Sequence, residues 1–137
     1  MATVVFYEKP GCINNTRQKA WLASSGHRVE ARDLLQESWT VERLLEFFGS
    51  LPVAQWFNMS APRIKNGEVQ PDRLGADAAL QLMLHDPLLI RRPLMEVDGE
   101  CHTGFDVTQV RSWIGLAAED GAPYTEGCPR TDNHHCR

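Results

Sequence analysis

Cys12 is the side chain around which reactive chemistry can be built. It sits in Tyr7-Glu8-Lys9-Pro10-Gly11-Cys12-Ile13-Asn14-Asn15-Thr16-Arg17. An apolar run, Thr3-Val4-Val5-Phe6-Tyr7, precedes it and reads as a buried strand; Gln18-Lys19-Ala20-Trp21-Leu22 follows and reads as helix. Pro10-Gly11 punctuates the two. The pattern predicts Cys12 at a helix start, where free backbone N–H groups and the positive end of the helix dipole favour the nucleophilic thiolate. Lys9 and Arg17 add positive charge nearby. The plain alternative is a small buried cysteine that only packs.

Other reactive side chains lie far along the chain. Cys128, His134, His135 and Cys136 are ligand types for zinc, iron or copper, in a spacing that matches no standard finger. Three outcomes stay open for them: an unstructured end, a metal site, or a tail whose Cys128 or Cys136 reaches Cys12 and resolves an intermediate. Cys101 and His102 are neighbours on a predicted strand and so face opposite sides. Cys101 is expected to pack. His27 and His85 read as surface or capping residues.

The frame for these groups is a chain of 137 residues, enough for one compact domain with a real core. Its 42% hydrophobic and 23% charged residues are ordinary for a globular protein. A net charge of −4 gives no general attraction to nucleic acid or anionic membranes, and no apolar run is long enough to span a bilayer. With no signal-peptide pattern, a cytoplasmic location is expected, and there the four cysteines read as thiols, ligands or redox groups rather than structural disulfides.

The elements follow in order. The helix after Cys12 is expected to bury Ile13, Arg17, Ala20, Trp21 and Ser24 and to stop at Gly26. His27 to Asp33 reads as a strand with Val29 and Ala31 inward, parallel to the first. Thr40 caps a helix whose inward face is Val41, Leu44, Leu45 and Phe48, ended by Gly49. Residues 51–57 read as a short helix, 58–72 mostly as loop, and Ala76 to His85 as a helix with Ala76, Leu80, Met83 and Leu84 inward. Two short strands around Asp98-Gly99 form a hairpin, and Asp106 to Leu116 is a helix opened by an Asp106/Gln109 capping box. The order is that of an α/β, thioredoxin-like fold (β-α-β…β-β-α) with an inserted helical subdomain at about 38–90. Residues 1–117 are expected to form this domain and 118–137 a flexible Cys/His-containing tail.

Two separated motifs carry a resemblance. Tyr7-x-x-Pro10-x-Cys12 with Arg17, and Leu84-His85-Asp86-Pro87-Leu88-Leu89-Ile90-Arg91-Arg92-Pro93-Leu94, resemble the signatures of the arsenate reductase (ArsC)/Spx family. Lys9-Pro10-Gly11-Cys12-x-Asn14-Asn15-Thr16-Arg17-Gln18-Lys19, Trp56-Phe57-Asn58 and Ala61-Pro62-x-Ile64-Lys65 resemble its nitrogenase-associated branch. The resemblance implies that Cys12 attacks an oxyanion or disulfide. It implies an anion- or substrate-binding set of Arg92, Arg63, His102 and Asn15, with Pro93, Arg17 and Lys9 supporting. His102 occupies the hairpin position where the reductases carry a further arginine. Pro93 matches the proline that packs against the active cysteine, commonly after a cis bond, and Arg91 is expected to point elsewhere.

Spx-type members carry a second cysteine where this chain has Asn15, so the usual CxxC disulfide cannot close. Glutathione is then the expected co-substrate, with glutathione or glutaredoxin as partner and no tightly bound cofactor. The rival implication is a non-enzymatic accessory protein with a nitrogen-fixation partner, serving nitrogenase maturation or metal supply. An Spx-like regulator is a weaker third, because the CxxC switch is missing.

Overall fold

A computed structural model of the chain describes residues 1–117. The first strand, β1 (Thr3–Glu8), is central. It pairs in parallel with β2 (Arg28–Asp33) and antiparallel with β3 (Leu94–Val97), and β3 forms a hairpin with β4 (Glu100–Thr103), giving the order β2-β1-β3-β4. The β1–β2 connection is α1 (Ile13–Ser24), a crossover that lets the two strands run parallel. Asp98 and Gly99 turn the hairpin with φ of 51° and 84°, the left-handed pair that a tight two-residue turn requires.

Alternation along β1 sends side chains to two cores. Val4 and Phe6 pack with Trp21 and Leu22 of α1, Met95 and Val97 of β3, Phe105, and Val110 of α5 (Val107–Trp113). Tyr7 faces the other way, into Leu44, Phe47 and Phe48 of α2 (Val41–Phe48), Leu80 and Met83 of α4 (Ala76–His85), and Trp56, Phe57 and Ile90. The segment between β2 and β3 therefore covers one face of the sheet, while α1 and α5 cover the other. Within it lie 3-10 turns at Val53–Trp56, Pro71–Arg73 and Pro87–Leu89 and a single short helix, α3 (Pro62–Lys65), where loop or regular helix is expected from the sequence.

Element positions follow the sequence closely; the inward faces do so less well. The buried residues of α1 are Asn14, Asn15, Gln18, Trp21 and Leu22, while Arg17, Ala20 and Ser24 are exposed. A hydrophobic-face rule misses a polar set that is buried because it hydrogen-bonds inward. In α2, Phe47 takes the place expected for Leu45, which is 40% exposed. In α4, Ala79 is buried and Ala76 is not. Ala31 is exposed because β2 is an edge strand. His27 is buried rather than superficial. Its Nδ1 accepts from the Ala2 N–H at 3.1 Å, so its Nε2 carries the proton that meets the Gly115 carbonyl at 2.8 Å, joining the two ends of the described chain. No helix among the described residues is long and apolar enough to cross a membrane.

Candidate active site

Cys12 is the N-cap of α1, reached through a turn in which Gly11 takes a φ of 87°. Its N–H donates to the Lys9 carbonyl at 3.1 Å, and its carbonyl accepts from the Thr16 N–H at 3.0 Å. The turn is held from beneath. Asn15 Oδ1 accepts from the Lys9 N–H at 3.2 Å, and Asn15 Nδ2 donates to Gln18 Oε1 at 3.1 Å. Cys12, Asn15 and Gln18 all have no exposed surface. At the strand end of the turn, Lys19 pairs with Glu8 at 2.8 Å. Side chains i and i+3 share one helix face, which is how one turn of α1 brings Asn15 and Gln18 together.

The second half of the site comes from the approach to β3. Phe57 and Ile90 form an isolated antiparallel bridge, flanked by Arg91 N–H to Trp56 carbonyl at 3.0 Å and Asn58 N–H to Leu89 carbonyl at 2.8 Å. This lays residues 89–91 against residues 56–58 and brings the following Arg92 to the same end. The Arg92–Pro93 peptide is cis, and the Pro93 carbonyl accepts from Gly104 N–H at 2.8 Å. Arg92 is only 4% exposed and hydrogen-bonds the Cys12 sulfur. Burial lowers the proton affinity of its guanidinium below the usual value, and the charge and hydrogen bond of the Cys12 sulfur pull it back up. A cleft of about 380 Å³ reaches this pair through Arg92 and is also lined by Gln55, Asn58, Met59, Ser60 and Arg91.

Other expected members stand elsewhere. Arg63, in α3, is committed to Asp86 at 3.0 Å and Glu68 at 2.9 Å. Those contacts, the Asp86 hydrogen bond first, raise its proton affinity. It thereby ties α3 to the end of α4 and is absent from the lining of the Arg92 cleft. His102 is taken by Glu100 at 2.7 Å and Gln109 at 2.7 Å, and its ring lies 4.1 Å from that of Trp113. It secures α5 to β4 and does not complete the Cys12 pair.

Asn15 points inward to the Lys9 turn instead of toward a ligand, because the backbone N–H it satisfies is buried. Lys9 is 2% exposed, Arg17 stands on the exposed side of α1, and Pro93 is buried beside Arg92. Arg91 does not point away from the site but lines the same cleft as Arg92. Cys101 packs, as expected, against the Tyr7 face of the sheet.

Sequence reasoning missed Gln55, Ser60 and Arg91 as cleft residues. Nothing in their spacing signals that role; only the Phe57–Ile90 bridge carries them to Arg92. Cys128, His134, His135 and Cys136 lie outside the described residues. Among the described ones, no group of three or more His, Cys, Asp or Glu is placed to hold a metal ion.

Comparison with known proteins bears on the whole of this arrangement. The model of the ArsC family matches residues 8–113. The chain is 56% identical over 137 residues to an uncharacterized 15.7 kDa protein in the draG 3' region of Rhodospirillum rubrum, covering 99% of this chain and 95% of that one. It is 20% identical over 113 residues to the global transcriptional regulator Spx of Lactiplantibacillus plantarum, covering 81% and 86% of the two chains. Among solved structures, an arsenate reductase from Vibrio cholerae superposes with a TM-score of 0.66 at 26% identity, over 81% of this chain and 97% of that one.

Proposed function

The chain belongs to the ArsC family, and from that premise we propose that it is a cytoplasmic thiol oxidoreductase that reduces arsenate or a chemically similar oxyanion through Cys12. The observation that carries this reading is the buried Arg92 guanidinium hydrogen-bonded to a cysteine at a helix start. A guanidinium beside a cysteine at a helix start suits an oxyanion bound to that sulfur.

The chemistry closes in three steps. The Cys12 sulfur attacks the central atom of the oxyanion, an S–As bond forms, and one oxygen leaves as water after protonation. Arg92 holds the remaining oxygens. A thiol then attacks, forming an S–S bond with Cys12. The electron pair of the S–As bond stays on arsenic, which falls from the +5 to the +3 state. A second thiol exchanges with that mixed disulfide, restoring Cys12 and releasing the oxidised thiol pair. The balance is one arsenate and two thiols in, with one arsenite, one disulfide and one water out.

Because Asn15 occupies the place of a second cysteine, the thiols come from outside the Cys12 turn. Glutathione, with glutaredoxin for the last exchange, fits that requirement. The nitrogen-fixation context rests on branch resemblance and on the genomic position for which the Rhodospirillum rubrum relative is named, and it adds no residue to this site. Replacing Cys12→Ser is expected to abolish glutathione-dependent arsenate reduction, followed as arsenite release. Turnover retained in that variant would sink the mechanism.

A further inference from the structure

The Arg92 cleft has a neighbour. A second cavity, of about 530 Å³, adjoins it, and Gln55 and Arg91 line both. The rest of its wall comes from elements that the first cleft does not touch: the end of α2, the strand β4 at His102 and Thr103, and the start of α5 at Asp106 and Gln109. A tetrahedral oxyanion of five heavy atoms has no need of this volume, which falls within the range of sites for organic ligands.

The charges are of both signs. Arg91 stands at the shared wall, steadied by donation from Nη1 to the Gln55 carbonyl at 3.1 Å. Asp106 presents a carboxylate whose Oδ1 also caps α5 by accepting from the Gln109 N–H at 3.0 Å. A second inorganic anion would be opposed by Asp106. A dipolar organic ligand is matched at both ends, its carboxylate against Arg91 and its ammonium against Asp106. Arg91 directly precedes Arg92, which hydrogen-bonds the Cys12 sulfur, so a ligand anchored at the shared wall lies next to the cleft that Arg92 lines.

We propose that this second cavity seats the peptide portion of the resolving thiol, a small zwitterionic thiol peptide of the glutathione class, with Arg91 and Asp106 reading its opposite charges. The proposal rests on the exchange role given above to Cys12. The step can be run in reverse with a disulfide. The Cys12 thiolate attacks one sulfur of R–S–S–R, that S–S bond breaks, a Cys12–S–S–R bond forms, and R–S⁻ leaves and takes a proton from water. No external oxidant is involved.

The test uses the full chain and peptide-resolved mass spectrometry of the mixed disulfide at Cys12. Three probes are compared: oxidised glutathione, the short dianionic disulfide dithiodipropionate, and neutral hydroxyethyl disulfide. Oxidised glutathione is expected to react about tenfold faster than dithiodipropionate, and Arg91→Gln and Asp106→Asn each to reduce that preference by about fivefold. Asn at position 106 keeps the helix cap, so the second variant is expected to fold. Arg32→Gln, on the exposed edge strand, serves as the control for loss of one surface charge and is expected to keep the preference.

Equal slowing of both dianionic probes by Arg91→Gln would reduce Arg91 to a general charge and overturn the subsite, as would a wild-type protein with no preference between them. Reaction with neither of these but with hydroxyethyl disulfide overturns the subsite alone. Failure of Cys12 to react with any of the three overturns the exchange role as well.

Discussion

Two arginine–thiol pairs can be compared among the described residues, and they differ in what else holds the arginine. Arg92 meets Cys12 in a buried setting, and the groups that hold its proton are the charge and hydrogen bond of that sulfur. Arg43 of α2 meets Cys101 of β4, its Nη1 3.8 Å from Sγ. There the guanidinium is already shared among Glu96, Glu46 and the Tyr7 hydroxyl, and it lies 4.7 Å over the Phe47 ring. Burial tends to lower the proton affinity of Arg43, yet these hydrogen bonds raise it well above the usual value. For Cys101, burial pushes the thiol up, the Glu96 charge adds to it, and Arg43 takes back only part. A cation neutralised by carboxylates steadies a fold but gives little to a sulfur. The same two residue types thus make a candidate reactive centre in one place and a brace between α2 and the sheet in the other.

Mutations can break that contrast. The largest effect is expected from Arg92→Ala, which removes the donor to the sulfur and to a bound oxyanion and should lower kcat/KM by about 100-fold or more. Steady-state arsenate reduction checks this, and a loss under tenfold would mean that another group holds the anion. Next comes the clamp that only the first pair possesses. Asn15→Ala deletes the buried bonds to Lys9 N–H and Gln18 and should cost about 1–3 kcal/mol in urea unfolding, with reduced turnover in the protein that remains folded. A variant as stable and as active as the wild type would show that the Cys12 turn holds itself.

Arg43→Ala should behave oppositely to Arg92→Ala, costing about 1–2 kcal/mol of stability because Glu96 and Tyr7 lose a partner, while turnover stays within about threefold. The smallest effect concerns the Cys101 thiol. Its raised proton affinity makes it slow toward iodoacetamide near pH 7. Glu96→Gln, by removing a negative charge that favours the protonated thiol, should increase its labelling at pH 8 by about two- to fivefold. Peptide-level mass spectrometry separates this signal from Cys12, and unchanged or slower labelling would show that access rather than charge controls this thiol.

Local signals in the sequence carried the element order and half of the site. The Pro10-Gly11 turn, the Thr40 and Asp106 caps, Gly26, Gly49 and the Asp98-Gly99 hairpin each act within a few residues, and each lies where the chain turns or caps in the structure. Cys12 at a helix start was legible for the same reason, since one strand, one turn and one helix are enough to put it there. Arg92 and Pro93 were reached through a motif rather than through a local rule.

What the tertiary structure decided was every contact whose partners are distant in sequence. The family resemblance implies Arg63 as an anion ligand, but Asp86, 23 residues on, holds it. His102 likewise answers to Gln109 and Trp113 of α5. Arg91 enters the cleft only because Phe57 bridges Ile90. Charge and hydrogen-bonding capacity are written in a side chain, but their availability depends on which neighbours the folded chain supplies. That is why the sequence alone determined where the candidate nucleophile stands, and only the packed structure decided which of the arginines lies beside it.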